Sequence, residues 1–152
     1  DATKNDVEQA QSKMDATVYK RAVHVVAENT RTKECKVALK MGVWDRVGEL
    51  LNASHASLRD DYEVSCKEVD FLVDTAQKCE GVYGARITGG GFGGCMVALV
   101  APASVDAVKE SLQTAYQAEY QQTPNVFVTA PASGAGVLAM DMESRSESDF
   151  FK

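Results

Sequence analysis

The sequence predicts an α+β domain of two layers, with helices packed on one face of a small antiparallel sheet. Three observations carry that prediction. Apolar residues in the first half recur at helical spacing. In the second half two short β-branched runs flank a cluster of glycines. Only one strand–helix–strand crossover is visible, from Cys95 to Ala130. A doubly wound sheet needs several such crossovers, whereas helices followed by antiparallel strands belong to the two-layer class. At 152 residues the chain has the length of one ordinary domain, read here as 1–152.

Val18, Ala22, Val25 and Val26 fall at the spacing of one helical face. Gly42 ends a helix over "CKVALKM", and Val43, Val47, Leu50 and Leu51 repeat the pattern after it. A polar stretch, "HASLRDDYEVS", follows. Ser65 and Glu68 then have the spacing of a capping box, with Val64 and Val69 placed as its hydrophobic staple. Val69, Leu72, Val73 and Ala76 form the buried stripe of that helix, and Gly81 stops it. Trp44 and Phe71, in helical stretches, are expected in the core.

"YGARIT" and "CMVALVA" read as strands on either side of the glycines. Pro102 breaks the second run. Val105, Val108, Leu112, Ala115 and Tyr116 mark a further helix, with Ser104 as its cap. "NVFVTAP" is expected to be a third strand, and "GAGVLAMDM" a fourth or a loop. Residues 142–152 are polar and expected to fray.

Composition narrows the function. Apolar residues make up 45% of the chain, enough to bury a core and to argue against disorder. The formal net charge is −6 and no basic arm stands out, which argues against nucleic acid and anionic membrane surfaces as partners. No apolar run is long enough to span a bilayer. The start, "DATKNDVEQAQ", has neither the signal-peptide nor the transit-peptide pattern, and it lacks Met, so a processed or excised piece is expected. Cys35, Cys66, Cys79 and Cys95 contain no CxxC, and His24 and His55 are scattered, so no metal site is expected. The cysteines read as reduced thiols of a cytoplasmic protein, mostly small core residues.

The chemistry concentrates in "GARITGGGFGGCMVALV", Gly84 to Val100. Gly89, Gly90, Gly91, Gly93 and Gly94 surround a single bulky residue, Phe92. Gly89, Gly91 and Gly94 satisfy G-x-G-x-x-G, but a dinucleotide fingerprint must open a helix. Here a β-branched strand follows. No Lys-Ser or Lys-Thr pair follows either, so the P-loop fails too. A plain hairpin loop needs one or two glycines for positive φ. Five leave two readings open: a hairpin loop without chemistry, or a flat backbone against which another surface or a ligand lies.

That stretch resembles the third conserved motif of the small-molecule kinase superfamily of galactokinase, homoserine kinase, mevalonate kinase and phosphomevalonate kinase. Arg86, Thr88, the glycines and Cys95 together resemble its galactokinase branch. "HASLRDDYEVSCKEVDFLV" is similar to the segment before that motif, "RAVHVVAENTRT" to the helix preceding it, and "NVFVTAPASGAG" to the closing strand and its turn. The motifs occur in the family's order over nearly the whole chain after Tyr19.

The resemblance implies a C-terminal domain alone. The galactose signature, the glycine- and serine-rich phosphate loop, the catalytic aspartate and the sugar-contacting tyrosine of the N-terminal domain have no counterpart here. In the full-length protein it implies transfer of the ATP γ-phosphoryl to the anomeric hydroxyl of galactose, with Mg2+, and a fragment that is inactive by itself. Two alternatives stay open: a galactokinase-like sugar sensor without activity, and a kinase of N-acetylgalactosamine or another small molecule. Thr88 and Gly89 to Gly94, Phe92 included, are expected to line the cleft between the domains. Arg86 either offers positive charge there or forms a structural ion pair. Because the family's base lies upstream, His55 is read as structural, and Asp60 and Asp61 as capping or exposed carboxylates. The expected partners are galactose, ATP and the N-terminal domain, and the exposed loop face allows a dimer of the fragment.

Overall fold

A computed structural model describes residues 2–132 and 134. Helices α1 (Lys4–Ala10), α2 (Ala16–Met41), α3 (Trp44–Asp60) and α4 (Lys67–Gln77) come first. Strands β1 (Val82–Thr88) and β2 (Cys95–Val100) follow, then helix α5 (Val105–Tyr120). The α+β class is as expected from the sequence.

Each helix begins and ends for a local reason. Thr3 caps α1 through a reciprocal box with Asp6, a T-x-x-D signal that the sequence reading passed over as a polar start. Asp15 caps α2 by accepting from the Thr17 N–H at 2.8 Å. Gly42 ends α2 in the left-handed region at φ 68°, where a Cβ would be strained. Helix α3 runs on through "HASLRD" to Asp60, so most of the stretch read as polar connection is helical. Its buried residues include Ser54, His55 and Ser57, small or hydrogen-bonded polar groups that a hydrophobicity pattern does not register.

Among the described residues the sheet has two antiparallel strands, with Thr88 opposite Cys95 and Ile87 opposite Met96. One face carries Ala85 and Ile87 into a core with Val69, Val73 and Ala76 of α4 and Val108 and Leu112 of α5. Full burial of such a valine or leucine contributes about 1.5–3 kcal/mol. Helix α3 lies along the outer edge of β1. The N–H groups of Ala85 and Ile87, which point away from β2, donate to Asn52 Oδ1 at 2.9 Å and His55 Nδ1 at 3.2 Å. Two side chains thus replace the missing neighbouring strand on that side.

Several expectations are corrected. "NVFVTAP" forms no strand: Phe127 and Val128 are exposed, and no ladder partner lies beside them among the described residues. Strand propensity expresses fit to a half-buried pleated surface, and the described residues offer this segment none. "GAGVLAMDM" and the tail 142–152 lie outside the described residues except Gly134. Val18 and Val25 are about half exposed, because α2 turns His24 and Ala38 inward instead. Trp44, at the first position of α3, is exposed as well, whereas Phe71 is half-buried against Tyr116 and Tyr120. Helix α4 ends at Gln77, before Gly81. Ser65 does not cap it. The cap position is Cys66, without a side-chain hydrogen bond, and the Ser65 hydroxyl donates to Asp70 Oδ1 at 2.5 Å. Ser104 does occupy the cap position of α5, but its hydroxyl makes no capping bond there.

Candidate functional site

The glycine loop joins β1 to β2 and projects into solvent. Positive φ is imposed at Gly89, Gly91, Gly93 and Gly94, and also at Phe92, which has φ 59°. Phe92 leaves 76% of its surface exposed. The loop is tied down at its middle, where the Phe92 N–H donates to the Val64 carbonyl at 2.7 Å. That anchor brings Gly91 so close that a Cβ would sit 2.9 Å from the Val64 oxygen. Gly91 is therefore required by the chain's own packing. Gly90 is different. Its φ lies outside the left-handed region, and a Cβ there would meet nothing within 4 Å among the described residues. Neither backbone strain nor an internal neighbour explains it.

Behind the loop, His55 connects α3, β1 and α4. Its ring is 2% exposed. Nδ1 accepts the Ile87 N–H, so the ring proton resides on Nε2, 3.3 Å from Asp70 Oδ1 but out of line for a hydrogen bond. Burial pushes the imidazole pKa below its ordinary value, against the opposing pull of the Asp70 carboxylate. A buried, neutral imidazole bonded to the backbone holds β1 in place, as the structural reading of His55 expects. His24 is a second buried imidazole, bonded to a side chain: Nδ1 meets Ser57 Oγ at 2.9 Å, and the Ser57 hydroxyl donates to Asp61 Oδ2 at 2.8 Å. Burial lowers its pKa as well.

The structure brings Thr88 and Gly89 to Gly94 together at one exposed end of the sheet. Arg86, two residues back, is turned elsewhere. Its Nη1 lies 3.8 Å from Glu28 Oε2, and its Nε donates to the Ile87 carbonyl at 3.0 Å. Of the two roles open to Arg86, the ion pair is the one the geometry displays. Asp60 and Asp61 diverge. Asp60 receives the Arg59 guanidinium at 2.8 and 2.9 Å, while Asp61 accepts from Ser57 and its carbonyl from Arg21. Among the described residues no group of three or more His, Cys, Asp or Glu could hold a metal ion. Asn52 and the Glu28–Ser54 pair, at 2.7 Å, escaped the sequence reading, because their partners lie far along the chain.

Residues 35–118 match the family model described as GHMP kinases C terminal. The galactokinase of Lactococcus lactis subsp. lactis is 50% identical over 129 residues, covering 85% of this chain and 32% of that protein. The galactokinase of Roseiflexus sp. is 42% identical over 136 residues, covering 90% of this chain and 35% of its own. The crystal structure of Lactococcus lactis galactokinase complexed with galactose superposes with a TM-score of 0.71 at 47% identity, over 77% of this chain and 31% of that one. L. major mevalonate kinase in complex with R-mevalonate gives a TM-score of 0.53 at 27% identity, over 72% of this chain and 32% of its own. The chain spans about a third of the length of the curated relatives it matches, at 32% and 35%.

Proposed function

The chain belongs to the GHMP kinase C-terminal family, and from that premise we propose that it is the C-terminal domain of a galactokinase. In the full-length protein the reaction is transfer of the ATP γ-phosphoryl to the anomeric hydroxyl of galactose, with Mg2+. Thr88, Gly89, Gly90, Gly91, Phe92, Gly93 and Gly94 line the cleft at its C-terminal side. The catalytic base and the phosphate loop belong to the N-terminal domain, so this chain alone does not turn over. Its described residues offer no carboxylate cluster for Mg2+, and the metal is not assigned to them. Four free thiols agree with a cytoplasmic setting.

Gly90 supports the cleft assignment best. It is free of positive φ and, among the described residues, of neighbours, so neither accounts for a glycine there, and a side-chain-free backbone fits a cleft wall that another surface approaches. Phosphoryl transfer relies on positioning and electrostatics, and a side-chain-free backbone permits close approach of substrate and opposing loop. The test is Gly90→Val in the full-length protein. The expected result is a fall in kcat/KM of at least about tenfold, roughly 1.4 kcal/mol of transition-state stabilisation, with thermal stability unchanged. Undiminished activity would reduce the loop to a plain hairpin connection.

A further inference from the structure

Between α2 and α3 lies an open cavity of about 430 Å3, with Arg86 of β1 on its wall. That volume falls within the range of about 300–1,000 Å3 typical of small-molecule clefts. Its lining carries four cations, Arg31, Lys36, Lys40 and Arg86, and no carboxylate. In a chain of net charge −6 this is a local reversal of sign. The two guanidiniums share a single counter-ion: Glu28 binds Arg31 Nε at 2.5 Å and lies 3.8 Å from Arg86 Nη1. Glu28 is also engaged by the Ser54 hydroxyl, and its pKa is held below the ordinary value despite burial, so it stays ionised. Among the described residues one positive charge on the pair remains unmatched. Arg31 Nη2 is buried and finds no hydrogen-bond partner among the described residues. That atom is closed to solvent, so an oxyanion in the cavity meets the exposed fifth of the Arg31 side chain, and a guanidinium fork is suited to an oxyanion. Leu39, Leu50 and Leu51 supply an apolar wall beside the charges.

We propose that this cavity binds a small organic anion, its phosphate or carboxylate head against Arg31 and Arg86 and its apolar body along the leucines. Lys36 and Lys40 add attraction for the head. The site depends on nothing assigned to the glycine loop, and its test reads binding rather than turnover. Cys35 also lines the cavity, while Cys95 is exposed at the start of β2, so the two thiols form a reporter and its internal reference.

The experiment titrates the chain with phenyl phosphate, benzoate, phenol and inorganic phosphate, by calorimetry and by the rate of iodoacetamide alkylation at each cysteine. Saturable binding of phenyl phosphate or benzoate is expected, with slower alkylation of Cys35 and an unchanged rate at Cys95. The tighter of the two anions identifies the head group. Arg86→Gln should weaken binding by about tenfold or more, the scale of one charge-assisted hydrogen bond. Should that variant fail to fold, Lys36→Gln, at an exposed position, must still weaken binding and flatten its salt dependence. Absence of saturable binding by either anion would overturn the proposal. So would protection of Cys35 by phenol equal to that by the anions, or unchanged binding in both variants.

Discussion

Gly90 and Gly91 are neighbours under different constraints. The sequence presents them as equal members of a glycine cluster. The positive φ of Gly91 and the placement of Val64 separate the glycine that the described fold needs from the one it does not. The same holds for the histidines. Their scatter along the chain argues against a metal pair, but their burial between helices and strand depends on long-range packing. Burial has a pH consequence. His24 and His55 are both held below the ordinary imidazole value by desolvation. In the unfolded chain they take up protons near pH 6.5. Below that pH the unfolded state binds more protons than the native one, so their contribution is complete above about pH 6.5 and declines as the pH falls towards their folded values. Urea midpoints at about pH 7.5 and about pH 5.5 should therefore differ, the lower pH being less stable. Carboxylates with lowered values, such as Glu63 at about 2, act only in a more acid range. Equal midpoints at the two pH values would show that the imidazoles titrate as if exposed.

Helix α3 and strand β1 fit each other at backbone distance. A Cβ on Gly48 would fall 1.8 Å from the Tyr83 carbonyl oxygen, so the helix could not remain where Asn52 and His55 reach the strand edge. Gly48→Ala should destabilise the domain by about 1–3 kcal/mol or more, as overpacking does, and should loosen both edge hydrogen bonds. Lower urea midpoints and faster amide exchange at Ala85 and Ile87 would be the signs. A variant as stable as the parent would mean that α3 does not pack at this distance. The apolar spacing of α3 and α4 and the strand character of β1 and β2 were legible, because each is a local pattern. The edge function of α3 was not, since nothing in "NASH" reveals that Asn52 and His55 face a strand more than 30 residues further on. The start of α4 was misplaced for a related reason. Ser65 has the spacing of a cap, but the helix begins one residue later, with Cys66 at the cap position, and the Ser65 hydroxyl donates to Asp70 instead.

At the scale of the molecule, the two-layer class was readable and the size of the sheet was not. Helical periods followed by a glycine-linked hairpin suffice for the class. A third strand needs a neighbour, and propensity in "NVFVTAP" cannot supply one. A two-stranded sheet is marginal without cover, and an open strand edge is a template for pairing. Helix α3 covers β1, but among the described residues no strand pairs with the other edge of β2. Beside it stands the loop with Phe92 at 76% exposure. An exposed aromatic and an open strand edge are each features through which copies of a chain can pair. The chain should accordingly self-associate as its concentration rises, which sedimentation across a concentration series would show as a shift from monomer to dimer. Phe92→Ser should suppress the shift, since it removes the only bulky side chain of the loop and leaves the Val64 anchor, a backbone bond, intact. Val97→Lys on β2 separates the two contributions, because a lysine blunts an edge strand without touching the loop. Suppression by Val97→Lys alone would assign the contact to strand pairing. A parent chain that stays monomeric throughout would show that neither the loop nor the edge is adhesive.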